Sequence, residues 1–418
     1  MLLLWVQDTV YVNGFGGWLT NAGRITGLMA GYAVVVLLAL MARVPAVERG
    51  IGADRLARWH AMGGRYTVSL AVAHTLLIIW GYAVTAHTNV VTQTSTLITT
   101  YPDVLMATVG LFLLLGVGIA SARAARRKLS YETWHAIHLY TYLAVALAFS
   151  HQFATGADFV EFKVRVLWSA LYIAVAGLLV WFRIVTPVRA AFRHQLRVVD
   201  VRRENRDVAS VVMRGRHLDE LDIEPGQFFR WRFLTRDLWW AANPYSLSAA
   251  PRTDLLRITV KVAGAHSAAL FRLRPGTRVF AEGPYGALTE ARRTRRKVLL
   301  LAGGVGVTPL RTLFETLPGD PGDVEMIYRA NSEHDLILRS ELDAIADSRG
   351  AQIHYLLGPP RRGTEDHLSG VRLRKVIPDI RTRDVYLCGP EAMMVAARKG
   401  LRAAGVPRRR IHHESFSF

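Results

Sequence analysis

The sequence predicts a multi-domain membrane protein. An all-α transmembrane bundle comes first, then an antiparallel β-barrel, then an α/β domain whose parallel sheet binds a nucleotide. Three observations predict this. Residues 24–183 hold several apolar runs near or above about 18 residues with few charges, the length a membrane-crossing helix needs. From about Gln195 short strands alternate with Gly/Pro turns, as in a small barrel. From Lys297 strands alternate with helices, as in a parallel sheet. A chain of 418 residues, 51% of them hydrophobic, has room for two or three domains. The expected divisions are an N-terminal segment over residues 1–23, the bundle over 24–190, the barrel over 191–294 and the nucleotide domain over 295–418.

The net charge of +19 raises the question of nucleic acid. Much of the arginine excess sits at membrane borders, where cytoplasmic loops are basic. No basic groove interleaved with aromatics is present, so a nucleic-acid partner is not expected; the lipid bilayer is. Cys388 is the single cysteine. That excludes an internal disulfide, a cysteine zinc cluster and a Cys₄ iron–sulfur cluster, and leaves histidine or carboxylate to hold any metal.

Met1–Val6 is apolar but too short to span, and reads as the stub of an extra helix or of a start chosen too late. It has no basic n-region of a signal peptide. Five spans are expected, at about Ile25–Ala42, Trp59–Val84, Pro102–Ala122, Tyr131–Phe153 and Val164–Val185. The loop with Arg43, Arg49, Arg55 and Arg58 is basic, as is the one with Arg123, Arg126, Arg127 and Lys128, and so is the tail after Arg183. The loop Ala86–Tyr101 carries no Lys or Arg, and the one after Phe153 is acidic at Asp158 and Glu161. This alternation puts the basic loops, and with them the C-terminal half, in the cytoplasm. Spans two and four then run parallel, from inside to outside.

Those two spans carry matched histidines. His60 and His74 stand fourteen positions apart, and His138 and His151 thirteen. At ~1.5 Å per residue these gaps are roughly 21 Å and 19.5 Å, so two neighbouring helices can offer His–His pairs at matching depths. Two facing imidazoles are what a six-coordinate haem needs, so His60 with His138 and His74 with His151 are expected to hold two b-type haems. A lone histidine in a membrane helix is more often a hydrogen-bonded packing residue; four at matched depths are not. Ideal pitch leaves His138 and His151 about 140° apart and His135 about 160° from His151, so a locally tightened helix is expected. Arg65 either meets a haem propionate or snorkels to the interface.

In the C-terminal half, strands are expected at Leu196–Val201, Val208–Met213, Phe228–Phe233, Leu256–Val262 and Arg278–Glu282. Among them lie Asn243-Pro244-Tyr245-Ser246-Leu247-Ser248, then Gly264 and Ser267, then Gly283-Pro284-Tyr285-Gly286. Lys297–Ala302 is a continuous apolar strand that leads into Gly303-Gly304-Val305-Gly306-Val307-Thr308-Pro309. Three glycines permit close backbone approach, Thr308 can cap the next helix, and Pro309 suits its first position. Free N–H groups there make an anion site for a pyrophosphate, though the spacing is not G-x-G-x-x-G. Further strands are expected at Val324–Arg329, Gln352–Leu357 and Asp384–Leu387. The last ends at Cys388-Gly389-Pro390, where open α/β sheets bind ligands.

On these motifs residues 195–418 resemble the ferredoxin–NADP reductase superfamily, and residues 24–185 resemble a ferric reductase-type transmembrane domain. The order of the two, with the ending Glu414-Ser415-Phe416-Ser417-Phe418, is similar to the bacterial members of the NADPH oxidase and ferric reductase family. The resemblance implies FAD lined by Tyr245, Ser246 and Leu247, with Ser246 near its reactive edge and Gly264 and Ser267 at its pyrophosphate. It implies Gly303, Gly304, Gly306 and Thr308 at the nicotinamide dinucleotide, and Cys388, Gly389 and Pro390 beside the nicotinamide. Phe418 would cover the flavin face until nicotinamide displaces it; the plain alternative is a frayed tail. Cys388 could equally be a small buried hydrophobe. NADPH is favoured over NADH because Arg329, with Arg339 near it, can meet a 2′-phosphate. The chain departs from the family at Asn243, where Arg or His is usual, which leaves Arg230 or Arg232 to supply a cation.

The implied activity carries electrons from cytoplasmic NADPH through FAD and two haems to an acceptor outside the cell membrane, O2 giving superoxide. A ferric chelate reduced by the same route is the alternative. A haem-free, membrane-anchored flavin reductase with a cytoplasmic acceptor is the third reading. A homo-oligomer and an electron-accepting partner protein are both compatible with the sequence.

Overall fold

A computed structural model of the chain describes residues 12–122, 129, 131–358 and 367–414. They fall into two compact units, one within residues 1–43 and 55–183, the other within residues 44–54 and 184–418.

The first unit is helical. Helix α1 spans Gly14–Leu40; a short helix α2, Pro45–Ile51, belongs to the second unit; α3 spans Ala53–Thr85. Then come α4, Val90–Thr100; α5, Val104–Ser121; α6, Tyr131–Thr155; and α7, Phe162–Val180. Four helical stretches are long and apolar enough to cross a membrane: Gly14–Leu40, Arg55–Thr85, Val104–Ser121 and Phe162–His194. Helix α6, expected as a further span, forms over 25 residues but is not among the four. Its length suffices, since 25 residues at ~1.5 Å each exceed the ~30 Å hydrocarbon core. Its three histidines, Gln152 and its tyrosines and threonines lower its hydropathy.

Helix α1 starts eleven residues before the expected Ile25, through a glycine-rich stretch that by propensity alone disfavours helix. Packing overrides propensity there. A Cβ on Gly16 would lie 2.5 Å from Thr85 Oγ1, and one on Gly81 would lie 2.7 Å from the Thr20 amide, so α1 and α3 cross at backbone distance. Helix α4 occupies what reads as a loop in sequence. Asn89 caps it by accepting from the Thr92 amide at 2.8 Å. Its threonines satisfy themselves on the preceding turn, as Thr94 does on Val90 O at 2.7 Å. Pro102 lies outside α5, because Asp103 takes a left-handed φ of 63° at the cap. Helices α5 and α6 pack along each other, where a Cβ on Gly110 would sit 2.8 Å from Ala144 O. Leu28, Phe159 and Trp168 form a small core with Phe149, Phe153 and Tyr172.

After a π-helical turn at Trp181–Val185 and helix α8, Thr186–His194, the second unit begins its strands. They are β1, Arg197–Arg203; β2, Val208–Arg214; β3, Phe228–Phe233; β4, Asn243–Ser246; and β5, Leu255–Lys261. Helix α9, Ala265–Ala269, and strand β6, Val279–Tyr285, complete this lobe. The hydrogen bonds make two three-stranded antiparallel sheets, ordered β1-β2-β5 and β4-β3-β6. Isolated bridges Arg197–Arg278 and Leu247–Ile258 link them. Alternating inward residues, among them Val211, Met213, Trp231, Leu247 and Ile258, fill the space between the sheets.

The last lobe follows as β7, Val298–Gly303; α10, Val307–Thr316; β8, Val324–Ala330; α11, Arg339–Arg349; and β9, Gln352–Leu357. Then come α12, Gly370–Val376; β10, Asp384–Cys388; α13, Glu391–Ala403; and β11, Ile411–His413. The five strands are parallel in the order β11-β10-β7-β8-β9. Every residue of β7 is buried, which is why it reads as an unbroken apolar run. Register places Gly303 beside Arg329 and Ala302 beside Cys388, so the C-terminal strand ends come out level. The expected strands appear within a few residues of their expected bounds. β11 was not foreseen, because three residues carry too little pattern.

Candidate functional site

Helices α3 and α6 bring the four histidines together as two pairs. The ring centres of His60 and His138 are 5.9 Å apart, and those of His74 and His151 are 6.3 Å apart. A metal–imidazole bond is about 2 Å and the bonding nitrogen lies about 1 Å from the ring centre, so two imidazoles on one metal stand about 6 Å apart. Three rings are oriented through Nδ1–H: His60 donates to Leu37 O at 3.2 Å, His74 to Gly23 O at 2.8 Å, and His151 to Ala148 O. Each such bond selects the tautomer that leaves Nε2 as the ligand nitrogen. His138 differs. Its Nδ1 is buried with no partner among the described residues, and its ring stacks on Trp134 at 5.2 Å and 25°. Spacing and donor type fit one six-coordinate haem per pair, and a hydrogen bond sets the tautomer of three of the four rings. Among the described residues no cluster of three or more metal-binding side chains competes.

The expected tightening of the second histidine helix is absent, since α6 is α-helical throughout. Side chains absorb the angular offset instead. The His151 ring folds back to the carbonyl one turn earlier, and Trp134 steers His138. Helix α6 takes α5, not α3, as its close backbone neighbour, so the rings meet α3 at full side-chain reach. His135 packs on Trp134 at 6.4 Å.

In the two-sheet lobe, β4 carries Tyr245 and Ser246. Burial pushes the Tyr245 hydroxyl up to about 12. Ser246 is buried, and its Oγ has no hydrogen-bond partner among the described residues. An orphaned buried hydroxyl asks for an explanation, and a flavin edge fits it. The Leu247 side chain is fully buried in the core, so only its backbone is available to a flavin. Arg230 pairs with Glu282 at 3.6 Å. Arg232 lies over the Phe280 ring at 5.8 Å, with an Nε that has no partner among the described residues; its neighbour Trp231 is the residue paired with Asn243. Ser267 Oγ accepts from the Ala263 and Gly264 amides at 2.8 and 3.1 Å. Its hydroxyl is therefore committed to shaping the turn. The sequence reading gave no role to Trp240 or His266: the two rings meet tilted at 5.0 Å and 50°, and His266 Nε2 is buried with no partner among the described residues. A tandem Trp239-Trp240 in a loop was the signal available.

At the parallel sheet, Gly304 takes a left-handed φ of 52° directly after β7. A Cβ on Gly306 would lie 2.5 Å from the Cys388 carbonyl, and one on Gly389 would lie 3.2 Å from the Gly303 amide. The glycines thus hold the β7 and β10 ends together. The helix starts two residues earlier than expected. Gly306 is the N-cap, and Thr308 sits inside the first turn, where its hydroxyl donates to Val305 O at 3.0 Å. The tight turn Gly304–Gly306 runs straight into α10, so Thr308 does not cap it and Pro309 is third, still in the first turn. Arg329 donates to the carbonyls of Ala330, Leu356 and Gly358. Arg339 pairs with Glu333 and lies over Tyr355 at 5.1 Å. Cys388 is fully buried, and burial, then the Glu414 charge, pushes its thiol well above the ordinary value. Pro390 is the N-cap residue of α13. Glu414 lies against Gly286, in the Gly283–Gly286 segment; Phe418 lies outside the described residues.

Comparison with known proteins finds two family matches within the chain. Residues 26–149 match the family described as "Ferric reductase like transmembrane component", and residues 300–399 match "Oxidoreductase NAD-binding domain". The chain is 32% identical to ferredoxin–NADP reductase B of Sorangium cellulosum over 41% of this chain and 77% of that protein. It is 30% identical to the glycine betaine monooxygenase reductase subunit of Chromohalobacter salexigens over 54% of this chain and 64% of that protein, so it spans less than two thirds of that relative. Among solved structures, the cytochrome P450 reductase GcoB of Amycolatopsis is 25% identical over 53% of this chain and 69% of that one, with a TM-score of 0.45. The chain belongs to the NAD(P)H oxidoreductases of ferredoxin–NADP reductase type, in the architecture that fuses such a reductase to a ferric reductase-like transmembrane component.

Proposed function

We propose that this protein carries electrons from cytoplasmic NADPH, through FAD and two b-type haems, to an acceptor on the far side of the cell membrane, with O2 as the acceptor and superoxide as the product. The observation that supports this reading is the pair of His–His contacts at 5.9 and 6.3 Å. His60 and His138 would hold the haem on the cytoplasmic side, and His74 and His151 the haem on the outer side. Bound there, haem iron takes and passes one electron at a time. FAD held in the two-sheet lobe would supply the matching chemistry, that of a two-electron carrier able to pass electrons on singly.

The residues have separate tasks. Ser246 presents a buried hydroxyl to the flavin edge, and Arg232 offers the cation that Asn243 does not. The two sheets act as one FAD-binding barrel, a reading supported by the bridges at both pairs of edges. Gly304, open to approach, would let the dinucleotide near the backbone, with Gly303 and Gly306 holding the loop close against Met393 and Cys388. Arg329, whose contacts to three carbonyls use three of its five N–H donors, would be the group that meets a 2′-phosphate and favours NADPH over NADH.

The test is NADPH consumption by detergent-solubilised protein supplied with FAD and haem, comparing O2 with ferric chelate. Superoxide formed stoichiometrically with NADPH oxidised supports the reading. Turnover only with ferric chelate replaces O2 by iron. A reduced-minus-oxidised spectrum without b-type bands removes the haems from it. A second reading, with a partner protein as acceptor, is favoured by the relative named as a reductase subunit.

A further inference from the structure

The two lobes of the reductase half are joined by a ring whose four charged members lie outside the flavin and dinucleotide motifs and which closes through Ser248 and Ala250. Arg257, on β5, donates to both carboxylate oxygens of Glu341, on α11, at 2.6 and 2.7 Å. Arg311, on α10, donates to the same carboxylate at 2.9 Å, and also pairs with Glu315. Glu315 in turn accepts from the Ala250 amide at 3.1 Å. Arg257 closes the circuit by donating to Ser248 O at 2.7 Å and to Ser248 Oγ at 3.2 Å. Beside the ring, the Gly226 amide donates to Thr312 Oγ1 at 2.8 Å.

Two members of this ring lie close in the chain to the candidate flavin and dinucleotide residues. Ser248 is two residues beyond Ser246, at the end of the flavin strand. Arg311 is one turn into α10, whose N-terminus follows the Gly303–Gly306 loop. The arginine side chains are 13% and 9% exposed. Burial alone would raise the Glu341 pKa, but the Arg257 hydrogen bond and both guanidiniums outweigh it and hold the carboxyl below the usual range. A buried ion pair is weak evidence for stability, since its desolvation opposes its attraction. What a bidentate fork supplies is direction.

We infer that Glu341 is a positioning residue for hydride transfer, the keystone that fixes how the dinucleotide loop faces the flavin strand. It rests on the reading of the two lobes as flavin and nicotinamide sites. In that step a C–H bond of the nicotinamide breaks as an N–H bond of the flavin forms, and the two electrons of NADPH reduce the flavin. An error of about 1 Å in such an approach costs about a hundredfold in rate.

The test is stopped-flow bleaching of the flavin by NADPH in the full-length, detergent-solubilised protein. In Glu341→Gln the side chain keeps its size but loses its charge and one acceptor. The limiting bleaching rate falls about tenfold or more, the nucleotide Kd stays within about twofold, and the isotope effect with 4-deuterated NADPH rises. Arg257→Lys, which keeps the charge but loses the fork, carries the same expectation if Glu341→Gln fails to retain FAD. Unchanged limiting rates in the variants that retain FAD overturn the inference while the lobe reading stands. Wild-type protein that does not bleach overturns both.

Discussion

A Cβ placed on Gly27 would sit 2.5 Å from Nδ1 of His74, so this imidazole lies in a notch of α1 that a side chain would fill. One turn earlier in the same helix, the Gly23 carbonyl accepts from that nitrogen at 2.8 Å. Helix α1 thus holds the His74 ring by shape and by hydrogen bond, although it carries no ligand itself.

Gly27→Ala tests the notch. The helix gains about 1 kcal/mol of intrinsic propensity, so the fold has no local reason to fail. The ring must shift, and the variant should lose about half of its b-type haem. The haem-to-flavin ratio of the purified protein reads this directly. An unchanged ratio means the ring has room that the geometry denies.

Replacing His74 with Ala separates the two halves of the electron path. Flavin reduction by NADPH stays near wild type, because the reductase half is untouched. Superoxide output, followed by dismutase-sensitive dye reduction, disappears. Persistent output would show that His74 and His151 ligate nothing on the path.

Ser246→Ala removes a buried hydroxyl that has no partner among the described residues. Apolar replacement of an unsatisfied polar group is near neutral or stabilising, so melting of the FAD-free protein should shift by no more than about 1 kcal/mol in stability. Flavin bleaching by NADPH should slow about tenfold or more, as for a lost hydrogen-bond donor at a reacting centre. A rate equal to wild type would place the hydroxyl away from the flavin.

Cys388 carries a pH signature. Its thiol is raised in the folded chain by burial and then by Glu414, whereas the unfolded thiol titrates near ~8.5. Above that pH the unfolded state binds fewer protons than the folded one, so stability falls as pH rises. The contribution is complete below about pH 8.5 and is lost progressively above it. Denaturation of wild type and Cys388→Ala at pH 7 and 9.5 should show a steeper loss in wild type. A maleimide dye at pH 8 should label the thiol only after unfolding; rapid labelling of the folded protein contradicts the burial.

Much of this architecture was legible in the residues. The apolar runs announced a helical half, because a span needs a long stretch with few charges and nothing local can imitate it. The unbroken run Lys297–Ala302 announced the central strand, because both faces of a parallel strand are buried. Helix α4 was not legible, since its threonines satisfy their hydroxyls on their own helix and leave no apolar stripe. Nor was the early start of α1, where helix contact through Gly16 and Gly81 outweighs a glycine's reluctance.

The sequence by itself determined which residues could act: four histidines at matched spacing, a Tyr-Ser pair and a glycine-rich turn after a buried strand. Spacing and residue type are local properties, and they survive without coordinates. Only the tertiary structure decided how they are used. The second histidine helix needs no tightening, because an imidazole on a flexible arm corrects an angle that the backbone does not. Thr308 and Ser267 spend their hydroxyls on their own turns, and Arg329 spends its guanidinium on carbonyls at the strand ends. The Arg257–Glu341–Arg311 ring joins residues far apart in sequence. No periodicity encodes such a contact; it exists only once two lobes pack and charges removed from water must find one another.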